Sequence, residues 1–189
     1  MRKFAFGPTL TFRGRKFKGL RGWAGKPLHP PLTDFPVAAY ILGAAFDVIS
    51  TLGRHHPWAR EYFHAGTFTF VGGVAVSVLT ALTGLFDWLK STEPGTQARR
   101  TANSHAVIML TVTALAIADL SLRLADYHTR SHPTVAVFVL SLLVAVLVGL
   151  GATYGGTLVY DYGFNVETAA DSAVWHASET DVLPGDHQR

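Results

Sequence analysis

The chain has 189 residues, of which 49% are hydrophobic and only 15% are charged, and its formal net charge is +3. This composition is typical of small polytopic membrane proteins and argues against a water-soluble domain, whose helices would each carry a charged face. The absence of cysteine excludes disulfides, thiolate iron–sulfur clusters, covalently attached c-type haem and cysteine nucleophiles within this chain.

The first 32 residues form a basic segment that is predicted to lie in the cytoplasm. Residues 1–26 hold eight Lys or Arg residues and no acidic residue, with aromatic residues between them. Beside a membrane domain, this pattern favours contact with anionic lipid headgroups over nucleic-acid binding. The segment lacks the apolar core of a cleavable secretory signal, so the first apolar stretch is predicted to be retained as a span.

Four apolar stretches follow, each close to the roughly 20 residues that a helix needs to cross about 30 Å of hydrocarbon. Their apolar cores are residues 35–53, 65–86, 104–125 and 134–160, and the first two spans are predicted to extend to 33–53 and 65–89. Short loops make sequential helices neighbours. We therefore predict an all-α, integral membrane, antiparallel four-helix bundle over residues 33–160.

The charges outside the spans predict the orientation of the bundle. Twelve Lys or Arg residues lie on the side that the two termini share, and three lie on the other side. The positive-inside bias therefore predicts cytoplasmic termini and a multi-pass protein of the bacterial inner membrane. The acidic segment 161–189 then forms a cytoplasmic tail that is suited to docking on a protein partner.

Small and polar residues at helical spacing predict which face of each span packs inside the bundle. The predicted inward faces are Tyr40, Gly43, Ala44, Asp47, Ser50 and Thr51 in the first span, Gly73, Ser77, Thr80, Gly84 and Asp87 in the second, and Ser141, Ala145, Gly149, Ala152, Gly156 and Tyr160 in the fourth. These stripes are interpreted as packing surfaces and not as cofactor sites.

The third span carries ionisable groups on one face. The residues at spacings of 4-3-4-3-4 are His105, Met109, Val112, Ala116, Asp119 and Arg123. Asp119 precedes Arg123 by four residues, which is the spacing of an intrahelical ion pair. Asp47 lies at a similar depth, so Arg123 is predicted to bridge both carboxylates inside the bundle. This ion cluster is interpreted as a structural lock between two helices, with a proton or ion relay as the alternative.

Two of the nine histidines are placed differently from the others, which lie in predicted outer turns or in the tail. His29 and His105 are predicted to lie at the cytoplasmic boundary, where two imidazoles from different helices can hold a b-type haem or a metal ion. The polar groups predicted at the same boundary are Asp34, Asp87 and Tyr160. The favoured interpretation of the two histidines is a hydrogen-bonded structural anchor, with haem or metal ligation and a quinone or proton site as the alternatives. The proline-rich residues 26–36 are predicted to be rigid and extended.

Four motifs together resemble a known family. They are Gly25-Lys-Pro-Leu-His-Pro-Pro-Leu-Thr-Asp-Phe-Pro36, Gly84-Leu-Phe-Asp-Trp-Leu89, Arg99-Arg-x4-His105 and Gly155-Gly-Thr-Leu-Val-Tyr-Asp-Tyr-Gly163. Over about residues 22–165, the chain is similar to an uncharacterised group of small bacterial four-span membrane proteins that open with an HPLHP-type motif before an FP turn. The resemblance implies a four-helix membrane protein, associated in some members with Rieske-type iron–sulfur proteins, and no established activity. The family often has a second histidine before the FP turn, where this chain has Asp34, which argues against haem.

Three classes of function are consistent with these features. The favoured one is a non-catalytic membrane anchor or accessory subunit of a redox or respiratory complex, because two charged ends flank spans without a catalytic constellation. The second is a b-type haem electron carrier with His29 and His105 as axial ligands. The third is a proton or ion pathway through Asp47, Asp119 and Arg123. A soluble enzyme is disfavoured, since no phosphate loop, HExxH motif, nucleophile elbow or dinucleotide fingerprint is present.

Overall fold

Four long helices account for most of the chain that the computed structural model describes, which is residues 27–164 and residue 166. In this part the helices are α1 (His29–Leu52), α2 (Ala59–Ser91), α3 (Gln97–Asp126) and α4 (Val135–Tyr160). Each is long and apolar enough to cross a membrane, so the predicted all-α four-helix bundle is confirmed. The basic segment up to residue 26 and the acidic tail from residue 167 lie outside the described residues.

The helices are arranged as two closely packed pairs. α1 packs most extensively on α2, and α3 packs most extensively on α4, while α1 also contacts α4 and α2 contacts α3. α1 and α3 therefore lie across one diagonal of the bundle, and α2 and α4 lie across the other. The buried core consists of Tyr40, Phe70, Val112, Ala116, Val144 and Val148. Large apolar side chains are also exposed on all four helices, where a bilayer would cover them.

The proline-rich opening is helical, so the prediction of an extended segment is wrong. α1 begins at His29, and the two prolines that follow occupy its first turn, where a backbone N–H would have no intrahelical acceptor. Pro36 lies inside the helix and lacks the N–H that would donate to the carbonyl oxygen of Leu32. The Thr80 hydroxyl of α2 lies 3.3 Å from this oxygen and 2.9 Å from the Val76 oxygen of its own helix, so its one hydrogen is shared between the two acceptors. A neighbouring helix thus compensates in part for the proline.

α2 and α3 both begin before the apolar stretches that predict them. α2 starts at Ala59 and α3 starts at Gln97, so each adds more than a turn of polar residues to its predicted span. Apolarity marks the part of a helix that lies in hydrocarbon, and helical hydrogen bonds continue beyond it. The Thr96 hydroxyl accepts a hydrogen bond from the backbone N–H of Arg99 at 3.2 Å and caps α3.

The predicted inward faces of the first three spans lie inside the bundle, and that of the fourth does not. In α4, Ser141 is buried, but Gly149, Ala152 and Tyr160 are exposed. The buried face of this helix is Val137, Ser141, Val144, Val148, Gly151 and Leu158. Because α4 is apolar on every side, residue size does not separate a packed face from a lipid-facing one.

Candidate functional site

Ionisable side chains inside the bundle collect at two depths. His29 and His105 lie near the end at which α1 and α3 begin, which we name the histidine end. Asp47, Asp119 and Arg123 lie near the other end, which we name the carboxylate end. Fourteen residues of α3 separate His105 from Asp119, which corresponds to about 21 Å at about 1.5 Å per residue. The two sites are therefore structurally separate.

His29 of α1 and His105 of α3 meet across the diagonal of the bundle. Their ring centroids are 6.5 Å apart, and the ring planes are inclined at 82°. His29 Nδ1 lies 3.0 Å from the backbone oxygen of Thr80 in α2, and His105 Nδ1 lies 2.9 Å from that of Gly151 in α4. A carbonyl oxygen can only accept, so each Nδ1 carries a hydrogen and donates it.

These hydrogen bonds determine which ring nitrogen is available to a ligand. In the neutral ring, a hydrogen on Nδ1 leaves the lone pair on Nε2. Among residues 27–164, neither Nε2 of the pair has a hydrogen-bond partner. An imidazole held through Nδ1–H by a backbone carbonyl is a common arrangement for metal-ligating histidines. The pair therefore presents two oriented imidazoles with ligating atoms available.

Two glycines let the histidine rings lie against the neighbouring helices. A Cβ atom at Gly84 of α2 would lie 2.7 Å from Cε1 of His29, and one at Gly155 of α4 would lie 3.2 Å from Cε1 of His105. The first distance is too short for a real contact, so the position of the His29 ring requires glycine at 84. The sequence assigns Gly84 to a packing face and does not show that this glycine makes room for the His29 ring. The signal was that Gly84 lies close to the predicted cytoplasmic boundary, where His29 is also predicted.

The turn that leads into α3 is fixed by Trp88 near the end of α2. The guanidinium carbon of Arg99 lies 3.5 Å from the centroid of the Trp88 ring, and Arg99 Nη1 donates to the Trp88 backbone oxygen at 3.0 Å. Trp88 Nε1 donates to Asn103 Oδ1 at 2.7 Å. These contacts orient the first two turns of α3, which lead directly to His105.

The polar groups predicted near the histidines are not brought together. Asp87 is 2% exposed and lies on the buried face of α2. Asp34 is exposed on α1, and Tyr160 is 86% exposed at the end of α4. Of these three residues, Asp87 alone lies inside the bundle.

At the carboxylate end, Arg123 binds both predicted carboxylates. Its Nη1 donates to Asp47 Oδ1 at 2.9 Å, and its Nη2 donates to Asp47 Oδ2. Its Nε donates to Asp119 Oδ1 at 3.0 Å, whereas Nη2 is 3.4 Å from Asp119 Oδ2. All three side chains are fully buried. The cluster thus joins α1 to α3 across the diagonal, as the depth and spacing of these residues predict.

α2 closes the ion cluster from one side. A Cβ atom at Gly66 would lie 3.2 Å from Asp47 Oδ1 and 3.3 Å from Arg123 Nη1, so a side chain at this position would crowd the ion pair. The Arg123 guanidinium carbon lies 4.3 Å from the centroid of the Phe70 ring, a cation–π contact. Every nitrogen of the guanidinium is used within the cluster, which makes this site a cross-link between helices.

A metal centre formed by protein ligands alone is not built by the described residues. Among them, no group of three or more His, Asp or Glu side chains is arranged to hold a metal ion. Two imidazoles suit a metal whose remaining ligands come from a macrocycle, as in haem. The donor set at the histidine end therefore fits haem better than a tetrahedral zinc site.

Comparison with known proteins identifies a family of predicted membrane proteins and gives no activity. A family model described as a predicted membrane protein (DUF2231) matches residues 25–168. This range contains all four helices, the histidine pair and the ion cluster. No curated protein and no solved structure matches the chain.

Proposed function

The chain belongs to this family of predicted membrane proteins, and from that premise we propose that it is a membrane electron carrier that binds one b-type haem between His29 and His105. The observation that carries the proposal is the pair itself. Its rings are 6.5 Å apart, each Nδ1 is held by a backbone carbonyl, and neither Nε2 has a hydrogen-bond partner within the described part of the chain.

The separation of the rings suits two ligands of one metal ion. Imidazoles bound from opposite sides at a metal–nitrogen distance of about 2.0–2.1 Å have ring centroids roughly 6–6.5 Å apart. The observed separation of 6.5 Å falls at this value. An edge-to-face packing contact allows about 4.5–7 Å, so distance alone does not separate the two interpretations. A structural anchor would make the same Nδ1–H hydrogen bonds, and what supports the haem proposal is that both Nε2 atoms lack a hydrogen-bond partner among residues 27–164.

The two histidine rings lie close to the other two helices. The histidines come from α1 and α3, and glycines of the other diagonal, Gly84 and Gly155, lie against the two rings. Side chains at these glycines would occupy the space next to the imidazoles. Asp34, at the position where the family often has a second histidine, is exposed, so it does not compete with the pair.

When bound, haem supplies one-electron transfer, and the protein sets its potential through the axial ligands and their hydrogen bonds. The carbonyl oxygens of Thr80 and Gly151 accept from the two Nδ1–H groups, which fixes the ring orientations and raises the basicity of Nε2. These backbone hydrogen bonds therefore hold both imidazoles in place before the cofactor arrives.

An electron carrier needs a donor and an acceptor, so the proposal includes assembly with a redox complex as a membrane subunit. The basic first 32 residues and the acidic tail are the segments that suit partner contacts and anionic lipid. The positive-inside bias supports cytoplasmic termini in a bacterial inner membrane, and it puts the histidine end on the cytoplasmic side. The anchor role and the carrier role are then two aspects of one subunit.

Absorption spectroscopy of the protein purified in detergent from haem-supplied cells tests the proposal. We expect a Soret band, and an α band after reduction with dithionite. His29→Ala and His105→Ala should each lose haem or bind it weakly. The control is His64→Ala, because His64 lies toward the carboxylate end, with its Nε2 3.1 Å from the backbone oxygen of Tyr127, and this variant should keep the spectrum.

Two results would overturn the haem proposal. One is a helical, monodisperse wild-type protein that shows no Soret band as purified and none after titration with hemin. The other is retention of the wild-type spectrum by both single variants of the pair.

A further inference from the structure

The ion cluster contains more acidic groups than basic ones. Two carboxylates, Asp47 and Asp119, surround one guanidinium, Arg123, and all three side chains have no solvent exposure. With every group ionised, the cluster would hold an excess negative charge inside the bundle. An unpaired charge in a low-dielectric interior is strongly unfavourable, so a proton or a cation has to compensate it.

No second basic group of the described residues supplies that compensation. α2 presents Gly66 and Phe70 to the cluster, and neither is ionisable. α4 has no ionisable residue between 135 and 153. At the nearby end of the bundle, His64 contacts the Tyr127 backbone oxygen at 3.1 Å. Arg130 pairs with Asp126 at 3.3 Å in a partly exposed ion pair.

We propose that the Asp47–Asp119–Arg123 cluster is a proton-binding site, with Asp119 Oδ2 as the atom that carries the proton. Both oxygens of Asp47 accept from the two terminal nitrogens of Arg123. Asp119 Oδ1 accepts from Nε at 3.0 Å, while Asp119 Oδ2 has only the 3.4 Å contact with Nη2. This oxygen is the least engaged of the four, so a proton there disturbs the fewest hydrogen bonds.

The proton exchanges with the solution at the carboxylate end. Asp119 is seven residues from the end of α3 at Asp126, about 10 Å along the axis. Thr51 lies one helical turn beyond Asp47 toward the same end, and its hydroxyl is buried without a hydrogen-bond partner among the described residues. A hydroxyl can both donate and accept, so it is suited to pass a proton by way of water. Toward the histidine end, the apolar core that includes Val112 and Ala116 blocks this route.

Infrared spectroscopy at neutral pH, with the wild type compared with its variants, tests whether Asp119 is protonated. We expect the carbonyl stretch of a protonated carboxylic acid in the wild type, a downshift of that band in deuterium oxide, and its loss in Asp119→Asn. The asparagine variant has nearly the same shape and leaves Asp47 and Arg123 as a neutral pair, so it should fold. Asp126→Asn is the matched control, because Asp126 is partly exposed and lies outside the cluster.

A second measurement uses stability and does not depend on band assignment. If the folded protein holds a proton that the unfolded chain releases, raising the pH lowers the melting temperature of the wild type. Asp119→Asn should remove this slope, and Asp126→Asn should keep it. Wild-type and Asp119→Asn slopes that are equal would contradict the proposal.

Two spectroscopic outcomes would also overturn it: a wild type without the protonated-acid band, and a band that survives in Asp119→Asn. In a protein without the band, a melting temperature that rises with sodium or potassium would identify a cation as the compensating charge. None of them bears on the haem proposal, which concerns the other end of the bundle.

Discussion

The histidine end and the carboxylate end both place polar groups inside an apolar bundle. They differ in how many of their polar atoms already have a hydrogen-bond partner within the described residues. Every nitrogen of Arg123 reaches a carboxylate oxygen, so the ions at the carboxylate end pair within the protein and only Asp119 Oδ2 is left for the proposed proton. Each histidine uses Nδ1, and its Nε2 has no hydrogen-bond partner among residues 27–164. A polar group in a membrane bundle is stabilised either by a partner within the protein or by something that it binds. The difference between the ends is the basis for describing one as a cross-link between helices and for proposing ligand binding at the other.

Removing the cation should produce the largest change in stability. Arg123→Leu leaves two buried carboxylates without a positive partner, so we expect a loss of about 3–5 kcal/mol in the free energy of unfolding. The control is Arg130→Leu, which breaks a partly exposed pair with Asp126 and should cost about 0–1 kcal/mol. Thermal melting in detergent measures both. Equal effects would show that the buried cluster does not join the helices.

Adding a methyl group at Gly84 should affect the histidine end. Gly84→Ala places a Cβ atom 2.7 Å from Cε1 of His29, so the ring has to move. We expect weaker hemin binding and a loss of about 1–3 kcal/mol in stability. Gly149→Ala is the matched control, because nothing lies within 4 Å of a Cβ at that position. Unchanged hemin affinity in Gly84→Ala would mean that the His29 ring is not placed for a ligand.

Removing the hydroxyl that compensates for Pro36 should have a smaller effect. Thr80→Val removes the 3.3 Å contact with the Leu32 oxygen and the 2.9 Å bond to the Val76 oxygen of its own helix, so we expect a loss of about 1 kcal/mol. Thr111→Val serves as control, because the exposed Thr111 hydroxyl bonds only within its own helix, to the Val107 oxygen. A melting temperature of Thr80→Val equal to that of the control would show that the α1–α2 contact does not depend on this bond.

The smallest loss of stability is expected for a hydrogen bond that lies midway between the histidine end and the carboxylate end. Tyr40 and Ser77 share a buried hydrogen bond of 2.8 Å near the middle of the bundle. Interhelical hydrogen bonds in membranes contribute about 0.6 kcal/mol on average, so Tyr40→Phe should cost about that much. A double-mutant cycle with Ser77→Ala isolates the coupling. A coupling as large as the effect of Arg123→Leu would contradict the view that stability is concentrated at the carboxylate end.

Local rules explain which parts of the fold and the sites were predictable from sequence. Asp119 and Arg123 are four residues apart, and Asp47 has a matching depth, so helical geometry alone predicts that the three meet. His29 and His105 are likewise predicted at one depth. Their hydrogen-bond partners were not predictable, since the backbone carbonyls of Thr80 and Gly151 have no side-chain signature.

The failures have physical causes as well. The predicted inward face of α4 is wrong because that helix is apolar on all sides. Which of its residues are buried therefore depends on how their shapes pack against the other helices and not on their polarity. Residues 26–36 are predicted to be extended because Pro30 and Pro31 lack a hydrogen-bond donor. From His29 onward this prediction is wrong, since both prolines occupy the first turn of α1, where no intrahelical donor is needed.

The most direct test of the central claim is electron paramagnetic resonance of the oxidised, haem-loaded protein. If His29 and His105 bind one iron from opposite sides, the wild type should give a low-spin ferric signal. His29→Ala and His105→Ala should each convert bound haem to a high-spin form, and His64→Ala should remain low-spin. A high-spin wild type, or a low-spin signal in both variants of the pair, would contradict the account.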